Sequence, residues 1–260
     1  MQRSQDSKMK IPRFYQKEAF IVNQTIELSN ENHRHAVQVL RLNKGAPLIL
    51  FNGEGGEFVA TLVEVKKRCS TVLITSFDPV NRESSLKITL ILAVIKPEKM
   101  DFAIQKAVEM GVFNIQPLYT QRSVIKLKAN RLDKKMHHWQ GVINSACEQS
   151  GRTAIPQLFE PLSLDNCLNS LSATNALNIA MLPGDSPDLS QIEPNGDIQK
   201  LSLIIGPEGG FTEDEESQLF SQVDREKANV TGVSFGPRIL RAETAVIAGI
   251  TACQLHWGDL

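Results

Sequence analysis

From Leu86 onward the chain repeats one rhythm: an apolar run, a break, then a stretch with helical spacing. Leu86–Ile95 is almost continuously apolar, as a strand buried on both faces must be. Pro97 suits the first turn of a helix carrying Phe102, Ile104, Ala107, Val108 and Met110, with Gly111 placed to end it. A strand over Val112–Leu118 and a helix over Arg131–Ser150 follow, then a helix near Leu164–Leu171 and a strand over Ala176–Leu182. The series closes with strands at Leu201–Ile205 and Asn229–Ser234 and a last helix over Arg241–Trp257. Strands alternating with helices predict an α/β fold whose parallel sheet is covered on both faces.

The first third reads differently. Pro47–Phe51, Glu57–Val65 and Ser70–Phe77 are short runs rich in Val, Ile, Leu, Phe and Thr. Asn52-Gly53-Glu54-Gly55-Gly56 joins two of them as a hairpin loop, since asparagine and glycine tolerate positive φ. Ser29 is placed to cap a helix whose apolar face is Ala36, Val37, Val39 and Leu40. The expectation is a small β-barrel over residues 11–78, a polar linker over 79–85 and an α/β domain over 86–260. Residues 1–10 lack the apolar core of a signal peptide and read as a disordered extension, with Met9 an alternative start.

The four cysteines, at 69, 147, 167 and 253, form no Cys-x-x-Cys pair and fit no zinc spacing. They read as reduced thiols of a cytoplasmic protein, with no metal site. A net charge of −1 leaves any nucleic-acid contact to a local basic face. No apolar stretch reaches the roughly 18 residues of a membrane span.

Two segments carry the chemistry. In the first, the apolar run Leu201–Ile205 enters Gly206-Pro207-Glu208-Gly209-Gly210, and Thr212 with Glu215 forms a capping box. Glu213, Asp214, Glu215 and Glu216 answer the positive end of that helix dipole. Phosphate sites need free N–H groups and positive potential. This loop has neither Gly-x-Gly-x-x-Gly nor a P-loop lysine, so NAD, ATP and GTP fit poorly. A cationic, phosphate-free adenosine ligand, S-adenosylmethionine, fits better. Charge alone leaves a tight turn before a well-capped helix equally open. In the second segment, Gly236-Pro237 turns after a strand, and Arg238, Arg241, Glu243 and Thr244 precede a helix lined with Ala245, Ala248, Gly249 and Ala252. Small residues there allow close packing, in the core or against a second subunit.

Together, Ile205–Phe211 (IGPEGGF) and Phe235–Ala245 (FGPRILRAETA) closely resemble the SPOUT-class methyltransferases, and within them the ribosomal RNA small subunit methyltransferase E family. Ile11–Tyr15 (IPRFY), His35–Leu42 (HAVQVLRL), Lys99–Gly111 and Ala146–Arg152 (ACEQSGR) match further blocks, so the likeness runs from Met9 to the C-terminus. The resemblance implies an α/β domain with a C-terminal trefoil knot, preceded by a PUA-like RNA-binding barrel. It implies methylation of N3 of a uridine in small-subunit rRNA, by a homodimer packed through the knot region. The cofactor groups carried over are Leu182, Pro183, Gly184, Ile205, Gly206, Pro207, Gly209, Gly210, Ser234, Phe235, Gly236, Ile239, Leu240 and Thr244. Arg241 is expected to stabilise the uridine anion, with Glu243 or Glu208 orienting it or accepting the proton. Expected RNA contacts are Arg13, Arg34 and Arg41 in the barrel, and Arg122, Lys126, Lys128, Arg131, Lys134, Lys135 and Arg152 beyond it. Another RNA such as tRNA as substrate, and a non-catalytic ribosome assembly factor, remain alternatives.

Overall fold

The structure, a computed structural model, describes residues 11–123, 129–172, 175–184, 186–192, 197–220 and 230–260. The N-terminal extension and the lysines 126 and 128 lie outside the described residues. The chain divides into two compact units. One takes the chain up to Glu83 together with Cys147–Ile155, and the other takes Ser84–Ala146 and Pro156–Leu260. The sequence reading had placed 147–155 wholly in the α/β domain.

In the first unit, β1 (Arg13–Tyr15), β2 (Thr25–Glu27), β3 (Pro47–Phe51), β4 (Glu57–Val65) and β5 (Ser70–Asp78) form one sheet in the order β1-β3-β4-β5-β2. β1 runs parallel to β3 and the other pairs are antiparallel. Gly53, Gly55 and Gly56 all take positive φ in the β3–β4 loop, which is the conformation its glycines were expected to supply. Two register shifts between β4 and β5 increase the local twist. Phe14, Leu48, Leu50, Leu62, Val72 and Ile74 are fully buried and form the core.

Ser29 caps α1 (Asn30–His33), its hydroxyl accepting from the Asn32 amide at 3.1 Å. The helix does not continue in α geometry. Arg34–Val39 is π-helical, with the Leu40 amide donating to the His35 carbonyl at 2.9 Å. The wider i→i+5 turn shifts the angular spacing of side chains. Ala36 stays buried, but Val39 and Leu40 rotate outward, 64% and 42% exposed. The expected apolar face is therefore only half correct.

Arg82 and Glu83, expected in a free linker, are pinned. Arg13 pairs with Glu57, and Arg82 Nη1 joins the same carboxylate at 3.2 Å. Arg13 Nη2 donates to the Arg152 carbonyl at 3.0 Å, and Arg82 Nη1 to the Gly151 carbonyl at 2.9 Å. Arg152 in turn pairs with Glu83, its Nε donating to Oε2 at 3.0 Å. The Arg13 and Arg152 side chains are only 7% and 5% exposed. Both were expected at RNA, and both are instead interior cations. A buried guanidinium must be paired, and these two have found their partners inside the fold. Glu148, from the inserted segment, accepts from the Tyr15 amide at 2.9 Å, and burial pushes its carboxyl up.

The second unit contains β6 (Lys87–Ala93), α2 (Pro97–Glu109), β7 (Asn114–Tyr119), most of α3 (Ala129–Ser150), β8 (Gln157–Leu158), β9 (Leu162–Ser163), α4 (Leu164–Ser172), β10 (Leu177–Met181), β11 (Lys200–Ile205), α5 (Glu213–Phe220), β12 (Val230–Val233) and α6 (Ala242–Trp257). The strands lie in the order β12-β10-β11-β6-β7-β8, with β9 also on β7, and every pairing is parallel. β6 sits inside the sheet, and Leu90, Ile91, Leu92 and Ala93 are buried one after another, as its continuous apolarity requires. Gly111 at φ +85 lets the Val112 amide close on the Ala107 carbonyl at 3.0 Å, ending α2 in a Schellman motif.

α6 approaches the sheet closely because Gly249 has no side chain. A Cβ there would lie 2.6 Å from Met181 Sδ and 2.9 Å from Leu203 Cδ2. We expect Gly249→Val to lower unfolding free energy by about 2 kcal/mol through overpacking, measured by urea denaturation.

Among the described residues no helix is long and apolar enough to cross a membrane. The four cysteines are free, and burial pushes the thiols of Cys147, Cys167 and Cys253 up to about 12.

Candidate cofactor and catalytic site

Three loops follow the carboxyl ends of the adjacent strands β12, β10 and β11, where open α/β sheets bind ligands. After β11, the Gly210 amide donates to the Pro207 carbonyl at 2.9 Å. Gly210 itself has φ +69, a conformation other residues avoid. Phe211 folds back over Gly206, where a Cβ would sit 3.0 Å from its ring. The capping box forms as expected: the Thr212 amide donates to Glu215 Oε2 at 3.0 Å, and the Glu215 amide to Thr212 Oγ1 at 3.3 Å.

Glu215 does more than cap. It is 3% exposed, and its Oε1 accepts from the Gln121 amide at 2.7 Å, tying the loop after β7 to the start of α5. Arg122 completes this tie, with Nη1 donating to the carbonyls of Gly209 at 2.7 Å and Phe211 at 3.1 Å. Arg122, expected at RNA, also holds the glycine loop while its side chain stays exposed. Exposed Glu213 and Asp214 stay on the first turn of α5, as dipole partners.

After β12, Gly236 turns the chain at φ +81. The Ser234 amide donates to the Pro187 carbonyl at 3.0 Å and the Leu182 amide to the Val233 carbonyl at 2.9 Å, which holds this loop beside the one leaving β10. A cavity of about 260 Å³ opens between the three loops. Of the expected cofactor groups, Leu182, Pro183, Ile205, Gly206, Pro207, Gly209, Gly210, Phe235, Gly236, Ile239 and Leu240 line it. Gly184, Ser234 and Thr244 do not. Met181, Phe211, Ala242 and Ala245 line it without having been anticipated, being ordinary core residues by pattern, and so does the cation Arg238. A larger hollow, about 790 Å³, lies against the opposite ends of β6, β7 and β11, remote from the glycine loops.

Of the expected catalytic groups Glu208 lines the cavity, and Arg241 and Glu243 lie beside it at the start of α6 without lining it. Arg241 occupies the N-cap position of α6 with an exposed side chain, its carbonyl accepting from the Ala245 amide at 2.8 Å. Glu243 lies in the first turn of α6. Sequence reading missed the residue that joins them. Lys99 Nζ lies 3.6 Å from Glu208 Oε1 and 3.5 Å from Glu243 Oε1. A signal existed: a lysine in the first turn of a helix stands at the wrong end of the dipole and needs a local reason. Glu243 Oε2 is buried and has no hydrogen-bond partner among the described residues. Arg34 and Arg41 of the first unit are exposed, as are Arg131 and Lys134 on α3, while Lys135 is half-buried.

The sequence matches two family models, an RNA methyltransferase domain over residues 82–254 and an RNA methyltransferase PUA domain over residues 28–74. A ribosomal RNA small subunit methyltransferase E from Buchnera aphidicola subsp. Schizaphis graminum is 35% identical, the match covering 97% of this chain and 99% of that protein. The enzyme of the same name from Neisseria gonorrhoeae, solved bound to S-adenosyl methionine, is 36% identical with a TM-score of 0.86, covering 96% of this chain and 99% of that one. A Legionella pneumophila protein solved with the cofactor SAM is 38% identical with a TM-score of 0.88, covering 96% and 100%. With such likeness along nearly its whole length, this chain belongs to the ribosomal RNA small subunit methyltransferase E family.

Proposed function

We propose that this protein transfers a methyl group from S-adenosylmethionine to N3 of a uridine in small-subunit ribosomal RNA, acting in the cytoplasm as a homodimer packed through its C-terminal segment. The observation that carries the reading is the cavity at the ends of β10, β11 and β12, with Glu208 in its wall and Glu243 and Arg241 at the adjoining start of α6. Its lining suits this cofactor. Leu182, Ile205, Leu240 and Ala245 offer apolar walls for an adenine, the glycine loops offer backbone groups, and Glu208 and Arg238 are the charged residues of the lining among the described residues. A sulfonium gains from Glu208.

When bound, the cofactor supplies an electrophilic methyl carbon on a positively charged sulfur. The protein's task is then to place the uridine N3 in line with that carbon and to take away the N3 proton, because the neutral imide is a poor nucleophile. Glu243 Oε2, buried and without a hydrogen-bond partner among the described residues, suits the proton acceptor. Arg241 suits stabilisation of the anion spread over O2 and O4. The exposed cations Arg34, Arg41, Arg131 and Lys134 suit backbone phosphates.

Calorimetric titration tests the cofactor step: S-adenosylmethionine should bind with a Kd of about micromolar order, and ATP and NAD should not bind measurably. Mass spectrometry of rRNA after incubation with small subunits should then find one new methyl on a uridine base. Methylation at a ribose or another base would overturn the N3 assignment.

A further inference from the structure

Lys99 brings together three segments that are distant in sequence: the first turn of α2, the glycine loop after β11 and the first turn of α6. Its ammonium stands 3.6 Å from one carboxylate and 3.5 Å from the other, ion-pair range but beyond hydrogen-bond length. One cation is therefore shared between Glu208 and Glu243 rather than bonded to either. The side chains of Lys99, Glu208 and Glu243 are 24%, 24% and 14% exposed, so water screens the cluster only partly. Both contacts use Oε1, and Oε2 of Glu243 is left buried and unbonded. A lysine at a helix N-terminus opposes the dipole of α2, and its two carboxylates offset that.

We propose that Lys99 is a positioning residue of this site, holding Glu208 and Glu243 together so that Glu243 keeps its place at the start of α6 with Oε2 unbonded. Two carboxylates brought this close repel, and without the lysine one of them swings away. The inference rests on the methyl-transfer reading and adds to it a residue that never touches the reacting atoms. It also has a consequence opposite to that of a simple loop support. Removing a cation beside a site for a cationic ligand should not weaken that ligand's binding.

The test compares wild-type protein, Lys99→Met and Lys99→Arg. Calorimetry measures affinity for S-adenosylmethionine and for S-adenosylhomocysteine, which lacks the sulfonium charge, and steady-state assays on small subunits give kcat and KM. Lys99→Met should bind S-adenosylmethionine as well as wild type or up to about threefold more tightly, with S-adenosylhomocysteine unchanged. Its kcat should fall by about tenfold or more at nearly constant KM. Lys99→Arg should restore most of kcat. Equal weakening of both ligands in Lys99→Met, or an unchanged kcat, would overturn the inference and leave the cofactor reading intact. Failure of wild-type protein to bind either ligand would remove the cofactor reading and this inference with it. Should Lys99→Met fold poorly by thermal melting, Glu243→Gln gives an independent reading. It removes the acceptor charge while keeping the shape, and kcat should again fall with S-adenosylhomocysteine affinity unchanged.

Discussion

Arg241→Ala should lower kcat for rRNA methylation by about a thousandfold, the size of loss seen when a donor to a developing anion is removed. Affinity for S-adenosylmethionine should stay within about threefold of wild type, since that variant removes transition-state stabilisation rather than uniform binding. The reason is geometric. Arg241 is the N-cap residue of α6, and its side chain is exposed, while its neighbours Leu240 and Ala242 line the cavity. Its backbone is fixed by the first turn of α6, so truncating the side chain leaves the loop in place. Single-turnover assays with saturating cofactor, beside calorimetry, separate the two quantities. Full activity in the variant would remove arginine from the mechanism. Equal loss of cofactor affinity would make it a binding residue.

Arg13→Glu should unfold the first unit, whereas Arg41→Glu should leave stability unchanged and weaken RNA binding. Arg13 has a nearly buried side chain that pairs with Glu57 and donates to the Arg152 carbonyl. Reversing its charge sets two carboxylates against each other in the interior, at a cost of about 3–5 kcal/mol, a large part of a domain's stability. Arg41 is exposed, and its φ of 55 places it in the left-handed region just past the π-helical turn. Nothing in the described structure depends on its charge. Urea unfolding of both variants, with RNA affinity measured at two salt concentrations, distinguishes an interior arginine from a phosphate contact.

The contrast between Arg13 and Arg41 shows where sequence reading succeeds and where it stops. Elements with strong periodicity were legible: β6 from its unbroken apolarity, α2 from Pro97 to Gly111, and the capping box of α5 from Thr212 and Glu215. The glycine loops were legible because a positive φ leaves a mark in composition. Three-residue strands such as β1 and β2 are too short to carry a period. The π-helical turn at 34–39 violates the spacing on which its apolar face was assigned. Cations were the least legible of all. Arg13 and Arg152 look like surface charges until their partners Glu57 and Glu83 are known. Lys99 carried only the mark of a lysine at a helix N-terminus, and its role could not be read because both its partners lie more than a hundred residues away.

The short stretch Cys147–Ile155, claimed by the first unit though encoded after much of the second, bears on how the chain is made. Arg152 neutralises Glu83, and Glu148 receives the Tyr15 amide. Translation delivers the N-terminus first, at about 5–20 residues per second. When Glu83 leaves the exit tunnel the sheet of five strands is complete in sequence, yet Glu83 and the Tyr15 amide lack these partners. β6, α2, β7 and α3 must all emerge before the missing piece arrives. Nascent chains therefore carry the first unit in an unfinished state for several seconds. A chain truncated at residue 83 is expected to unfold at lower urea than the first unit of the full chain, because it lacks the partners that Cys147–Ile155 supplies.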